Sequence, residues 1–319
     1  MRDLKKIAAE ILKYKSVAIF SHINTDMDAI GSSLALCKAL TTLGLVVNVF
    51  SDSRIPENFN FMPYIEIINK KTINNYDLAI SLDSPLTTRL GKYENDFLKI
   101  KNSINIDHHM DNNSFAKFNY VAPDESSVSY LVGLLIEYLN IDFTDEIAIC
   151  LLAGIITDTG GFKYSNTTPD TINFVAKLLK LTNIKISDIM HQIFECNSIK
   201  YHEIYKRAIN SAKFYADNKL VIITIRNKDY IEVGINPEDV YGLTEIGTSL
   251  KDVLITIVIS EKKPGEFNVS FRGRGIDVRV CAAKFGGGGH KVASGCRLYG
   301  NYETVYEKLL KCALDEIVW

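Results

Sequence analysis

Through the first half of this 319-residue chain, short continuous apolar runs alternate with longer stretches whose apolar residues recur at helical spacing. Val17-Ala18-Ile19-Phe20, Leu45 to Phe50, Asp77 to Asp83 and Ser103 to Asp107 read as buried strands. Residues 3–14 carry Leu4, Ile7, Ile11 and Leu12 on one helical face. Further helices are expected from Ala29 to about Leu43, with Gly44 as the C-terminal cap, over 127–139 and 145–156, and from Pro169 to about Leu181. Short apolar strands alternating with amphipathic helices predict an α/β fold with a mostly parallel sheet sandwiched by helices.

Past residue 183 the pattern changes. Residues 185–207 read as a linker that becomes helical, with Tyr201, Ile204 and Tyr205 at helical spacing. Leu220–Ile225, Val253–Ile259 and Glu266–Phe271 follow as strands, and Pro264-Gly265 forms a hairpin turn between the last two. Helices near 240–251, 277–284 and 302–315 complete a second unit. The expected organisation is a domain over 1–184, a helical linker over 185–207 and a smaller C-terminal α/β domain over 208–319, with the active site in the cleft between the domains.

Composition narrows the function classes. A net charge of -2 argues against a large, sequence-blind surface for long duplex DNA, while a small anionic substrate stays open. The six cysteines are widely spaced, form no C-x-x-C pair and sit largely in apolar helical patterns, which fits reduced thiols in the cytoplasm. The first six residues open an amphipathic helix rather than a signal peptide, and no apolar run approaches the ~20 residues that span a bilayer.

The candidate chemistry collects at the ends of apolar segments. His22, Asp26 and Asp28 follow the first strand, Asp83 ends another, and Asp107-His108-His109 ends a third. Asp158 closes the apolar run Leu151-Leu-Ala-Gly-Ile-Ile and precedes Thr159-Gly160-Gly161. Taken singly, Asp28 reads as a helix cap and Asp83 as a turn former. Taken together, carboxylates and imidazoles without thiolates form the ligand set of Mn²⁺, Mg²⁺, Co²⁺ or Fe²⁺ rather than of structural zinc. Open α/β sheets place their ligands at the carboxyl ends of the strands, which is where these residues fall.

These motifs resemble the four motifs of the DHH phosphoesterase superfamily, in the family's order: His22-x-x-x-Asp26-x-Asp28-Ala29-Ile30-Gly31-Ser32, then Asp83, then Asp107-His108-His109, then Asp158-Thr-Gly. One departure is Asn24-Thr25, where many members carry a proline before the first aspartate. The resemblance implies two divalent ions, with Mn²⁺ as the first choice. It gives His22 and Asp26 to one ion, Asp28, His108 and Asp158 to the other, and Asp83 to both. It further implies that Asp107 orients a ligand histidine and that His109 faces the scissile phosphate.

In the second half, Ser270-Phe271-Arg272-Gly273-Arg274-Gly275 precedes Phe285-Gly286-Gly287-Gly288-Gly289-His290-Lys291. Consecutive glycines expose backbone N–H groups and accept positive φ, so this stretch reads as a loop able to wrap an anion. Arg272, Arg274, His290 and Lys291 are the candidate phosphate contacts. The Gly-Gly-Gly-His element is similar to the hallmark of the DHHA1 domain, and the resemblance then covers nearly the full chain.

Within that family the chain looks like the stand-alone nanoRNase/pAp phosphatase group. The resemblance implies hydrolysis of short oligoribonucleotides, including dinucleotides such as pGpG or pApA, or of the 3′-phosphate of pAp, by water activated between two ions. Phe162, Tyr164 or Phe271 is available to stack a base. The alternatives are an exopolyphosphatase or pyrophosphatase, a cyclic-dinucleotide phosphodiesterase, and a silent nucleotide-binding regulatory protein. The expected partners are a short RNA or nucleotide and no membrane; an apolar edge in the first domain is compatible with a homodimer.

Overall fold

The computed structural model describes residues 2–317 and divides the chain into two compact units, Met1–Cys196 and Asn197–Trp319. In the first unit the elements run α1 (Arg2–Ile11), β1 (Ser16–Phe20), α2 (Met27–Thr42), β2 (Val46–Phe50), β3 (Leu78–Leu82), α3 (Glu94–Lys99), β4 (Ser103–Asp107), β5 (Phe118–Val121), α4 (Val128–Tyr138), α5 (Asp145–Asp158), α6 (Pro169–Leu181) and α7 (Ile186–Phe194). The five strands form an all-parallel sheet in the order β2-β1-β3-β4-β5. Strand side chains alternate between faces. Val17 and Ile19 of β1 therefore join the large core with α1, α2, α4 and α5, while Ala18 and Phe20 pack with Phe50, Ala79 and Phe97 on the other face.

That strand order fixes where a ligand can sit. The chain leaves β1 towards β2 on one side and leaves β3 towards β4 on the other, so a crevice opens at the carboxyl ends of β1 and β3. Helices α2 and α5 meet there almost backbone to backbone. A Cβ on Gly31 would collide with the Cys150 carbonyl oxygen, and one on Gly154 would strike the Ser129 hydroxyl and lie 2.7 Å from Asp28 Oδ1. Only glycine permits that approach.

The second unit continues α8 (Ile199–Ser211), β6 (Lys213–Tyr215), β7 (Leu220–Ile225), α9 (Asn227–Val233), α10 (Glu245–Thr248), β8 (Ile255–Lys263), β9 (Glu266–Gly273), α11 (Arg279–Lys284), β10 (Gly288–His290), β11 (Ala293–Tyr299) and α12 (Tyr302–Glu316). Its sheet runs β10-β11-β9-β8-β7-β6, antiparallel except for the β7–β8 pair. Leu220 and Ile222 face α11 and α12, while Val221, Ile223 and Ile225 face α8 and α9.

Several elements differ from the sequence reading, in which α3, β6, α9 and β11 have no counterpart. The helix expected near 240–251 shrinks to α10, with Gly242 at φ +70° breaking the helical backbone ahead of it. Strand β5 carries no continuous apolar run and went unread. The glycine run expected as an open loop is in part strand β10, paired with β11 through Gly288–Gly295, Gly289–Ser294 and His290–Ala293. No helix among the described residues is long and apolar enough to cross a membrane.

Candidate metal centre

Asp26, rather than Asp28, caps α2: its Oδ1 accepts the Ala29 backbone N–H at 2.9 Å. Its second oxygen then turns to His22, with Oδ2 3.6 Å from His22 Nε2. Asp28 sits one residue inside the helix and is buried, which needs compensation. The start of α4 supplies it, since Asp28 Oδ2 accepts Val128 N–H at 2.7 Å and Oδ1 accepts Ser129 N–H at 2.8 Å. A helix amino terminus is a natural seat for a carboxylate. Asp158, the last residue of α5, lies at the end where the helix dipole repels an anion.

Asp83 joins the parts. It follows β3 with φ +57°, a left-handed conformation costing about 1 kcal/mol for a non-glycine residue, and it is 2 % exposed. Its Oδ2 is 3.3 Å from His22 Nε2, and its Oδ1 is 3.6 Å from His108 Nε2. His108 Nε2 is also 3.4 Å from Asp158 Oδ2. The donor atoms thus gather into one set of His22, Asp26 and Asp83 and another of Asp28, His108 and Asp158, each within 4.8 Å. Asp83 touches both sets.

Both clustered imidazoles have their far nitrogens tied to carbonyls, His22 Nδ1 to Ile23 O at 2.9 Å and His108 Nδ1 to Glu125 O at 3.2 Å. Each Nδ1 therefore donates, and each Nε2 faces the clustered carboxylates, where it can act as a ligand to a cation. The rings of His108 and His109 are turned 78° apart, so the neighbouring histidines face different ways. The resemblance gives Asp107 a ligand histidine to orient, but the ring it reaches is that of His109, with Oδ1 2.8 Å from Nδ1.

The residues fit a pair of divalent cations. Asp83 Oδ1 is buried with no hydrogen-bond partner. Burial, then repulsion from Asp83, pushes the Asp28 carboxyl up to about 7. Burial and the neighbouring Asp28 and Asp83 likewise drive Asp158 well above the usual carboxylate range. The all-oxygen-and-imidazole donor set suits hard or intermediate divalent ions.

In the second unit, His290 on β10 and Arg272 on β9 both pair with Ala293 of β11, so they stand in one cross-strand row. Arg272 Nη1 donates to the Phe271 carbonyl at 3.0 Å. Gly286 (φ +71°) and Gly289 (φ +134°) adopt the left-handed backbone expected of the run, whereas a Cβ on Gly287 would strike the Gly295 carbonyl oxygen. Gly287 and Gly288 serve strand contact instead. Lys291 is exposed in the turn after β10. Arg274 spends its guanidinium on the carbonyls of Thr248, Leu250 and Lys251 at 2.6, 3.2 and 2.8 Å. Phe271 is fully buried in the core and cannot stack a base, while Tyr164 is 45 % exposed.

The profile described as "DHH family, N-terminal domain" matches residues 16–155, and the one described as "DHHA1 domain" matches residues 217–318. The chain belongs to the DHH family. Among relatives, it is 29 % identical to the bifunctional oligoribonuclease and PAP phosphatase NrnA of Thermus thermophilus, covering 98 % of this chain and 94 % of that protein. It is 23 % identical to the Bacillus subtilis protein of the same name, over 90 % of each chain. An exopolyphosphatase-related protein from Bacteroides fragilis superposes with a TM-score of 0.88 at 25 % identity, covering 98 % of this chain and 96 % of that one. In this DHH chain the family motifs are the residues that converge on Asp83. The pattern along the sequence missed the groups that hold them: the Glu125 carbonyl, the Val128 and Ser129 N–H groups, and the amides of Asn105 and Asn112. A buried asparagine alternating with Asp107 along β4 was the one signal available for Asn105.

Proposed function

We propose that this DHH protein is a metal-dependent phosphoesterase that hydrolyses short oligoribonucleotides and the 3′-phosphate of pAp. The observation that carries the reading is the pair of histidine–aspartate sets sharing the buried Asp83. Similarity to NrnA over nearly the whole chain supports the substrate class. His22, Asp26 and Asp83 would hold one divalent ion, and Asp28, His108, Asp158 and Asp83 the second, with Mn²⁺ as the proposed ion. When bound, such a pair supplies Lewis acidity at a phosphoryl oxygen and a lowered pKa for water. The chain's own residues do the rest. Asp83 is pinned by its backbone between the two sets, and Asp107 fixes the His109 ring so that Nε2 is available to the scissile phosphate or its leaving group. Arg272, Gly289, His290 and Lys291 are proposed to bind the nucleotide's phosphates, whereas Arg274 holds the Thr248, Leu250 and Lys251 carbonyls, and Gly287 and Gly288 serve the β10–β11 contact. Six free cysteines support a reducing, cytoplasmic setting.

The test is product release from pAp, a 5′-labelled RNA pentamer, pGpG and pyrophosphate in parallel, with added Mn²⁺. Turnover of the nucleotides, lost on chelation, is the expected result. Cleavage of pyrophosphate alone would replace the reading with a phosphoanhydride hydrolase.

A further inference from the structure

Asp107 is fully buried, and both of its oxygens are engaged. Oδ1 accepts the His108 backbone N–H at 2.8 Å and meets His109 Nδ1 at 2.8 Å. Oδ2 accepts from Asn112 Nδ2 at 2.6 Å. The same amide nitrogen donates to Asn105 Oδ1 at 2.7 Å and lies 3.3 Å from the Ser84 carbonyl oxygen. Asn112 Oδ1 accepts the Ser114 N–H at 2.7 Å. A flipped amide would set its oxygen against three acceptors and its NH₂ against an N–H, so the network fixes the orientation.

The far end of the network is equally constrained. Asn105 alternates with Asp107 on β4 and therefore shares its face. Asn105 Nδ2 donates to the Ser84 carbonyl at 3.1 Å and reaches the Ser81 carbonyl at 3.4 Å, which ties it to the end of β3 and the residue after Asp83. A carboxylate with only one oxygen held can rotate about its Cβ–Cγ bond; Asp107 is gripped at both. A positively polarised N–H at His109 Nδ1 is the complement of Asp107 Oδ1, and leaves Nε2 as the working nitrogen.

We propose that Asn112 is a positioning residue for the phosphoester chemistry: its amide locks the Asp107 carboxylate, which in turn holds His109 in the Nδ1–H tautomer. This rests on the phosphoesterase reading above. Asn112 touches neither the metal donors nor the reacting atoms on this account. It acts through Asp107, and the loop residue 112 was not among the residues the family motifs single out.

Asn112→Asp tests it, because it keeps the shape of the side chain and replaces the donor facing Asp107 with an acceptor. Asn112→Ala serves as the second variant should the first fail to fold. In ¹⁵N-histidine spectra of the Mg²⁺-loaded protein, at a pH where the ring is neutral, wild-type His109 is expected as the Nδ1–H tautomer and both variants as a mixture. In turnover of pAp or pApA, kcat is expected to fall roughly 10–100-fold with KM and bound-ion count unchanged. An unaltered tautomer in a folded variant overturns the inference. So does an intact kcat accompanied by a lower melting temperature, which would make Asn112 a loop former only. If the wild-type protein hydrolyses no nucleotide, the functional reading falls, while the tautomer spectra still decide the role of Asn112.

Discussion

The two units treat their polar side chains in opposite ways. In the first, His22, Asp28, Asp83, Asp107 and His108 are all less than 5 % exposed and are held by backbone groups and by one another. In the second, Arg272 and His290 lie half-buried in a cross-strand row close to the sheet edge, and Lys291 is exposed beyond it. Buried like charges are costly unless a cation or a proton neutralises them, whereas surface cations fold without a ligand. The first unit is therefore built for chemistry that needs fixed geometry, and its stability is tied to what it binds. The second carries Arg272, His290 and Lys291 where no bound ligand is needed for folding.

The sharpest way to break that contrast is Asp83→Ala. Losing the carboxylate shared by both sets forfeits several kcal/mol of electrostatic stabilisation, so kcat for nucleotide substrates is expected to fall at least about 1,000-fold. Turnover near the wild-type level would remove Asp83 from the centre of the account.

A second effect comes from pH. The Asp28 carboxyl is raised to about 7 in the metal-free protein. A raised carboxyl contributes stability that is present below its unfolded pKa and is lost as pH rises through the folded one. Cations need the ionised form, so protons compete with them below that point. Added Mn²⁺ is expected to raise the melting temperature little near pH 5 and progressively more up to about pH 8. A shift independent of pH would contradict the carboxylate assignment.

Gly154→Ala sharpens the packing side of the comparison. Its methyl would press on Ser129 and Asp28, so a loss of about 2–3 kcal/mol in the first unit is expected together with weakened ion binding, read by thermal melts with and without metal. The smallest effect belongs to the second unit. Arg272→Ala is expected to raise KM for nucleotides roughly tenfold while the number of bound ions and the melting temperature hold. A loss confined to kcat would contradict a binding role.

The contrast also explains what was legible in the sequence. Strands β1, β3 and β4 are buried on both faces, so their apolar runs show plainly, and the acids and imidazoles that end them stand out against that background. The grip on those residues was not legible, because backbone carbonyls and N–H groups leave no mark in a sequence: the cap on α2 is Asp26 rather than Asp28, and Glu125, Val128 and Ser129 act through their main chains. Asn112 lies in the loop after Asp107-His108-His109, outside that motif. The glycine run was ambiguous, since glycine serves both positive φ, as at Gly289, and close strand contact, as at Gly287. Gly242 takes φ +70° just before α10, and helical spacing alone overstated that helix.

The central claim is that two cations share Asp83. The measurement that tests it most directly is the number of Mn²⁺ ions bound per chain, by calorimetric titration and elemental analysis, in the wild-type protein and in Asp83→Ala. The account predicts two ions in the wild type and fewer than two in the variant. A single ion in the wild type, or two ions retained in Asp83→Ala, would contradict it.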